Sequence, residues 1–404
     1  ERNFGGRINL ATALSKPLHW RKKLDSRVHM KNKNSSALFI RMASRPVPRV
    51  QRIMAIAEDI GLRPVFVGAH REPGLPKNDT WSGHKICRIG KPFPLLNGTR
   101  PFYYVWSVIR FQFSLIGYFR NSKPLLIHAS DIETMPASIL YAKLNSIPLI
   151  YNVHDNLSQR YNLPKAIKSL LNGLEGIAVL CSSSALVPEE FRRDALPTWC
   201  QRKVEIVRNT PADVHFSPPQ IDFEHGIRLF YGGWLDWGRG LREMISLVES
   251  LPNATLKIAG EGSPEIVGFL STHERVEYLG VLTYADSLEE MNRCHFAPAF
   301  YRPDTEINRF SASNKLAEAL AAGRPLLVNQ EMKITELFEG SSAAIVEKYG
   351  DTAATVSGIQ ALVTDSRRYE AACHEARGLY EKYYRWDLVK KDISKLLTSA
   401  VGDE

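Results

Sequence analysis

Short apolar runs rich in branched residues recur through the first half of the chain, at 37–40, 64–67, 125–128, 148–152, 177–180 and 204–207, with stretches of helical length between them. Strands that alternate with helices make βαβ units, so the pattern predicts an α/β fold built on a doubly wound parallel sheet. After NTPADVHFSPP at 209–219, a Pro-rich linker, the pattern restarts at 227–231, 255–259, 295–298, 325–328 and 343–346. Two Rossmann-like domains are therefore expected, 35–210 and 211–379, joined by a hinge near 209–225. Ligands of such sheets sit beyond the carboxyl ends of the strands, and two facing sheets create a cleft. A final segment, 380–404, carries YEKYYRWDLVKKDISKLL, which reads as an amphipathic helix packing back on the first domain through Tyr384, Trp386 and Leu388.

One element has a polar start that packing does not explain. SASNKLAEALAAGRPLLV at 311–328 opens on the N-cap candidates Ser311, Ser313 and Asn314, puts Leu316 and Leu320 on one face, and stops at Gly323 and Pro325 before a buried strand. Within it Glu318 lies on the side of Asn314 and Lys315, in the Lys-before-Glu order that gives the weaker helical pairing. A carboxylate has two acceptor oxygens, which suit a vicinal diol. Glu318 gripping a ribose, with Ser313, Asn314 and Lys315 facing phosphate at the helix start, accounts for each polar residue there.

Composition narrows the class. The 404 residues are 44% hydrophobic and 24% charged, as in soluble globular proteins, and no uncharged apolar run approaches the roughly 18 residues of a spanning helix. Residues 1–34 hold nine Lys or Arg against Glu1 and Asp25, which supplies most of the net charge of +9. The body is close to neutral, so a nucleic-acid partner is not expected: tracking phosphates needs a basic face on the folded domain. The basic extension reads as a transit-like or membrane-surface segment, with Met30 the preferred natural start. Cys87, Cys181, Cys200, Cys294 and Cys373 show no CxxC spacing, which argues for a reducing compartment and against structural zinc.

Familiar catalytic signatures are missing. The first strand leads into RMASRPVPR at 41–49, with no glycine where a dinucleotide fold needs GxGxxG, and there is no P-loop, GxSxG or HExxH. The second domain offers phosphate chemistry instead. In YGGWLDWGRGL at 231–241, Gly232 and Gly233 allow backbone N–H groups to approach an anion that Arg239 clamps, or the stretch is an ordinary turn with a solvated Arg. IAGEG at 258–262, with Gly260 and Glu261, suits close approach of a base or ribose, and equally a tight turn.

Taken in order, IHASD (127–131), YNVHDN (151–156), IVRNTPAD (206–213), GGWLDWGRG (232–240), AGEG and NKLAEALAAGRPLL (314–327) resemble the retaining GT-B glycosyltransferases of the family 4 group, over nearly the whole chain beyond the tail. The resemblance implies a nucleotide-sugar donor, with UDP- or GDP-sugars favoured, bound by the C-terminal domain and an acceptor bound by the N-terminal one. No cofactor or metal is required. Arg239 would contact the donor diphosphate and Glu318 the ribose, while His154 would sit beside the transferred sugar. Asp131 and Asp155 would orient the acceptor, or else cap helices. Retention is explained in this family by front-face attack, with the departing phosphate taking the acceptor proton.

Two positions depart from the family pattern. The first motif Glu falls eight positions before Glu318, where Phe310 stands, and an Arg after the glycines is replaced by Trp234. Arg302, Asp304, Glu306 and Asn308 are the neighbouring polar substitutes. RPFYYVWSVIRFQFSLIGYFRNSK at 100–123 reads as a helix on a membrane surface or as a core helix with a large outer face. The first reading implies a glycan or lipid-linked acceptor at the cytoplasmic face of a membrane, in polysaccharide or glycolipid synthesis. The rivals are a non-catalytic subunit of the same fold and a nucleotide-sugar epimerase or phosphorylase.

Overall fold

The computed structural model describes residues 35–93, 101–160, 162–211, 216 and 221–402, and the side chains of 101 and 102 are not among them. The basic extension, Arg100 and most of the 209–219 linker lie outside the described residues. The first domain runs β1 (Ser36–Arg41), α1 (Pro48–Asp59), β2 (Arg63–Ala69), β3 (Asn78–Trp81), β4 (His84–Ile89), α2 (Pro101–Arg120), β5 (Leu126–Ser130), α3 (Met135–Asn145), β6 (Leu149–Asn152), α4 (Lys165–Cys181), β7 (Ser184–Val187), α5 (Glu190–Asp194) and β8 (Val204–Ile206). Its sheet has the order β3-β4-β2-β1-β5-β6-β7-β8. Only β3 runs antiparallel.

The second domain runs β9 (Ile227–Gly232), α6 (Leu241–Ser250), β10 (Ala254–Ala259), α7 (Pro264–Ser271), β11 (Val276–Tyr278), α8 (Tyr284–Arg293), β12 (Ala297–Pro298), α9 (Glu306–Arg309), α10 (Asn314–Ala321), β13 (Leu326–Asn329), β14 (Ala344–Glu347), α11 (Thr352–Val363) and α12 (Ser366–Leu379). Strands β11-β10-β9 and β12-β13-β14 meet through a parallel bridge between Leu229 and Phe296. The resulting order, β11-β10-β9-β12-β13-β14, is doubly wound like that of the first domain. Chain direction across each sheet reverses once, between β1 and β5 and between β9 and β12. Those two switch points open crevices at the carboxyl ends of their strands.

Each sheet is covered on both faces, which is why its strands read as continuous apolar runs. Phe39, Phe66 and Ile150 pack on one side of the first sheet, and Ile40, Val67 and Ala129 on the other. The chain then passes through a π-helical turn, Tyr380–Tyr384, into α13 (Trp386–Val401). This last helix lays Val389, Ile393 and Leu397 against Val50, Ile53 and Met54 of α1. Tyr384 instead packs in the second domain's core, although its hydroxyl donates to Glu189 of the first at 2.8 Å. Leu388 is exposed.

One expected strand is a helix. Residues 177–180 belong to α4, where Ala178 and Val179 form part of the buried stripe, and the strand follows at β7. A short apolar run fits either period, and here the helix was long enough to absorb it. The β3–β4 hairpin was not anticipated because its outer strand is polar. Its turn, Ser82 and Gly83 at φ 47° and 83°, has the paired positive φ of a tight hairpin.

Candidate functional site

In the second domain, β9 ends in Gly232 and Gly233. The Gly233 N–H donates to Ala259 O at 2.9 Å and the Gly260 N–H to Gly280 O at 2.8 Å, so neither is available to an anion. The glycines serve close packing instead. A Cβ on Gly260 would lie 1.7 Å from Gly233 O. What lies over this turn is a cation: Lys315 Nζ would be 3.8 Å from a Cβ at Gly233, and it sits 4.2 Å from the Tyr231 ring centroid.

Lys315 and Arg239 share a third partner. The Tyr301 ring, just beyond β12, has the Arg239 guanidinium 4.7 Å and the Lys315 ammonium 5.2 Å from its centroid. Burial alone would raise the Tyr301 pKa, but Lys315, Arg239 and hydrogen bonds with Ser311 and Ser313 bring it down to about 7. Burial likewise opposes the charge on Lys315, yet the neighbouring hydroxyls of Tyr231 and Tyr301 raise its pKa. Ser313 occupies the N-cap position of α10 without a side-chain cap bond, and its hydroxyl contributes to lowering the Tyr301 pKa. The uncapped start of α10 thus carries Lys315 and lies near Arg239 across the Tyr301 ring, and a helix N-terminus accompanied by cations suits an anion.

Asn314 and Glu318 follow on α10. Asn314 Oδ1 accepts from Arg52 Nη2 of α1 at 3.2 Å, across the domain boundary. Glu318 is half-buried; burial raises its pKa, and Arg52, a Tyr284 hydrogen bond and Lys315 oppose that rise. By contrast, Glu261 is exposed and has no side-chain hydrogen bond or ion pair among the described residues.

The first-domain crevice is a charged cavity of about 370 Å³ lined by Arg41, Arg71, Tyr104, Asp131, Glu133, Asp155 and Arg160. Asp131 is buried with φ 65° and ψ 156°, a conformation costly for a residue with a Cβ. It is held by Arg41 Nε at 3.2 Å, Arg160 Nη2 at 3.1 Å and the His154 backbone N–H at 3.3 Å. Burial would push its carboxyl up, but Arg41 and Arg160 hold it well below the usual range. Arg160 also pairs with Glu133, which accepts from Tyr104. Burial and Arg41 keep His154 well below the ordinary imidazole range, so it is neutral. Asp155 accepts from the buried Arg192 Nη2 at 2.9 Å, and neither Asp131 nor Asp155 caps a helix with its side chain.

The structure thus gathers Arg239, Lys315, Ser313 and the glycine turns at one switch point, and Asp131, His154 and Asp155 at the other. Sequence reading missed Tyr301, Arg41, Glu133 and Arg160. Arg41 ends β1 and Glu133 follows β5, so the rule that ligands sit at strand carboxyl ends could have found both. Nothing local marks Arg160 or Tyr301. Phe310 packs at 6.0 Å between ring centroids against Phe191 of the first domain. Its polar neighbours are engaged: Arg302 with Asp304, Glu306 with Lys168 of α4 at 2.8 Å, and Asn308 with Arg302 O. Trp234 stands half exposed directly after the Gly232–Gly233 turn.

Residues 239–390 match a family model described as glycosyl transferase-like. Among curated proteins, none matches this chain by sequence. Among solved structures, a sucrose-phosphate synthase from Thermosynechococcus elongatus superposes with a TM-score of 0.73 at 12% identity, covering 92% of this chain and 100% of that one. Anabaena Alr3699/HepE in complex with UDP and glucose gives 0.64 at 14% identity over 90% of this chain and 100% of its own. WaaG, a glycosyltransferase involved in lipopolysaccharide biosynthesis, gives 0.60 at 13% identity over 90% and 99%. At such identities the likeness is one of fold, and the chain has the GT-B fold of two Rossmann-like domains, with a glycosyl transferase-like region in its C-terminal half.

Proposed function

We propose that this protein is a retaining glycosyltransferase that moves a hexosyl-type sugar from a UDP- or GDP-sugar to a glycan or lipid-linked acceptor. The observation that carries this reading is the pair of cations, Arg239 and Lys315, gathered around Tyr301 at the N-terminus of α10, with Glu318 one turn further along. The diphosphate would lie against the cations and the helix start, and the ribose diol against Glu318. The acceptor would enter the charged cavity of the first domain, where its hydroxyls meet Asp131, Glu133 and their arginines.

In the reaction proposed, the acceptor hydroxyl oxygen bonds to the anomeric carbon while the bond from that carbon to the diphosphate oxygen breaks. The proton passes to the departing phosphate on the same face, and no enzymic nucleophile is used. Arg239 and Lys315 stabilise the charge that develops on the leaving group. Neutral His154 offers a hydrogen bond to the sugar. Because the chain itself supplies counter-charge to the diphosphate, chelation with EDTA is expected to leave turnover unchanged.

The first domain also suggests a peripheral place at the inner, cytoplasmic face of a membrane. Trp106 and Phe113 of α2, Leu140 and Leu144 of α3, and Leu170 and Leu174 of α4 are exposed. The ionisable residues of these three helices are Arg110, Arg120, Lys143, Lys165 and Lys168, apart from tyrosines and Cys181, and Glu175, which is buried. With Lys168 paired to Glu306, the exposed apolar side chains are accompanied on these helices by Arg110, Arg120, Lys143 and Lys165, which suits an anionic bilayer. Among the described residues no helix is long and apolar enough to cross one. The deciding experiment is thermal stabilisation by UDP, GDP, ADP, dTDP and CMP, followed by sugar transfer from the matching donor. One diphosphate is expected to stabilise the protein. Silence from all would favour the non-catalytic subunit, and epimerised donor without acceptor the epimerase.

A further inference from the structure

Arg49, in the first turn of α1, is 5% exposed, and its guanidinium touches only neutral acceptors. Its Nε donates to Asn152 Oδ1 at 3.0 Å, and its Nη1 donates to Val207 O and, at 3.0 Å, to Asn209 Oδ1. Its Nη2 is buried without a partner. Burial and nearby Arg52 lower its pKa to about 9, with Glu189 opposing. A buried cation with an orphaned donor is costly, and a packed apolar side chain of similar size would be more stable. A compensating role is to be sought in what the fork holds.

The fork determines a proton. Arginine has donors only, so fully buried Asn152 must turn its oxygen toward Arg49 and its NH₂ toward His154 Nε2, 3.1 Å away. Nε2 must then present a lone pair, and the single proton of the neutral ring must sit on Nδ1. The second arm reaches the other domain: Asn209 takes Arg49 on its oxygen and donates from Nδ2 to Ala312 O at 2.9 Å, in the loop that leads to Ser313 and Asn314. We propose that Arg49 is a positioning residue which, through Asn152, locks His154 in the Nδ1–H tautomer beside the transferred sugar. A guanidinium holds its donors in one plane at fixed angles, so one side chain presents separate N–H groups to Asn152 and Asn209.

The relevance to turnover rests on the transferase reading, but the tautomer does not, so the two can fail separately. Nitrogen-15 NMR of histidine-labelled protein without ligand reads the protonation of each ring nitrogen, with His154→Gln identifying the signal among the 11 histidines. The expected wild-type pattern is a protonated Nδ1 and a bare Nε2. Asn152→Asp leaves only acceptors between Arg49 and the ring, so it should invert the pattern. Turnover should fall about 10²-fold, the cost of one misdirected donor, while diphosphate affinity stays within about twofold. Arg49→Met should give a mixture of tautomers; if it does not fold, Asn152→Asp still decides. A wild-type Nε2–H, or an unchanged tautomer in Asn152→Asp, would overturn the proposal. So would an inverted tautomer with full turnover. If no nucleoside diphosphate binds, the transferase reading falls while the tautomer result stands.

Discussion

At the scale of single residues, the proposed donor site is a problem in charge. Tyr301 lies between two cations, which favours its phenolate and brings its pKa down to about 7. As pH rises through that value the phenolate forms, offsets one of the two positive charges of Arg239 and Lys315, and competes with a diphosphate. Donor-diphosphate affinity in the wild type should therefore weaken between about pH 6.5 and 8.5, whereas Tyr301→Phe should lose that dependence, as read by isothermal titration. The sign for stability is opposite. A group whose folded pKa lies below its unfolded value near 10 contributes stability that is present above 10 and lost as pH falls through about 7, so Tyr301→Phe should cost more at high pH than at pH 6. Arg239→Ala and Glu318→Ala should each weaken nucleotide binding about tenfold or more, while His154→Ala should lower kcat more than affinity. Binding and turnover unchanged in all three would refute the assignment of the site.

Secondary elements set which of these residues were readable. The start of α10 stood out because Ser, Asn, Lys and one Glu broke an otherwise apolar pattern, whereas α4 misled because its stripe imitated a strand. On α4, Gly176 leaves room for Trp199, whose ring would lie 2.4 Å from any Cβ there. The aromatic α2 has two faces: Phe111, Leu115 and Phe119 are core, while Trp106 and Phe113 are exposed. Phe113→Glu combined with Leu144→Glu should reduce sedimentation with anionic vesicles and leave Tm nearly unchanged, since both residues are largely exposed. Equal loss of sedimentation with neutral vesicles would remove the electrostatic part of the membrane reading. Leu397→Ala, on the buried face of α13, should instead destabilise the fold by about 2–5 kcal/mol in denaturant unfolding.

At the scale of the whole molecule, the two switch points depend on contacts that cross the domain boundary. Arg52 reaches Asn314, Lys168 pairs with Glu306, Asn209 holds Ala312, and Phe310 packs on Phe191. Such contacts set the spacing of the two halves, and a misplacement of about 1 Å can cost 10²-fold in rate. Phe310→Glu, which restores the residue type of the resembled family, should therefore not raise activity here. It would place a carboxylate against Phe191, and the expected result is lower turnover with a lower Tm.

The chain pattern by itself determined two doubly wound sheets and the polar start of α10, because hydrophobic periodicity and capping chemistry are local and leave their mark within one element. It also marked the glycines at the ends of β9 and β10, where backbone packed against backbone leaves no room for a Cβ at Gly260. Only the tertiary structure decided that the glycine N–H groups are occupied, that Tyr301 stands between Arg239 and Lys315, and that Arg41, Arg160 and Asp131 form one network. These partners lie tens to more than a hundred positions apart. Burial decided their charges and hydrogen bonds, and burial is a property of the folded whole.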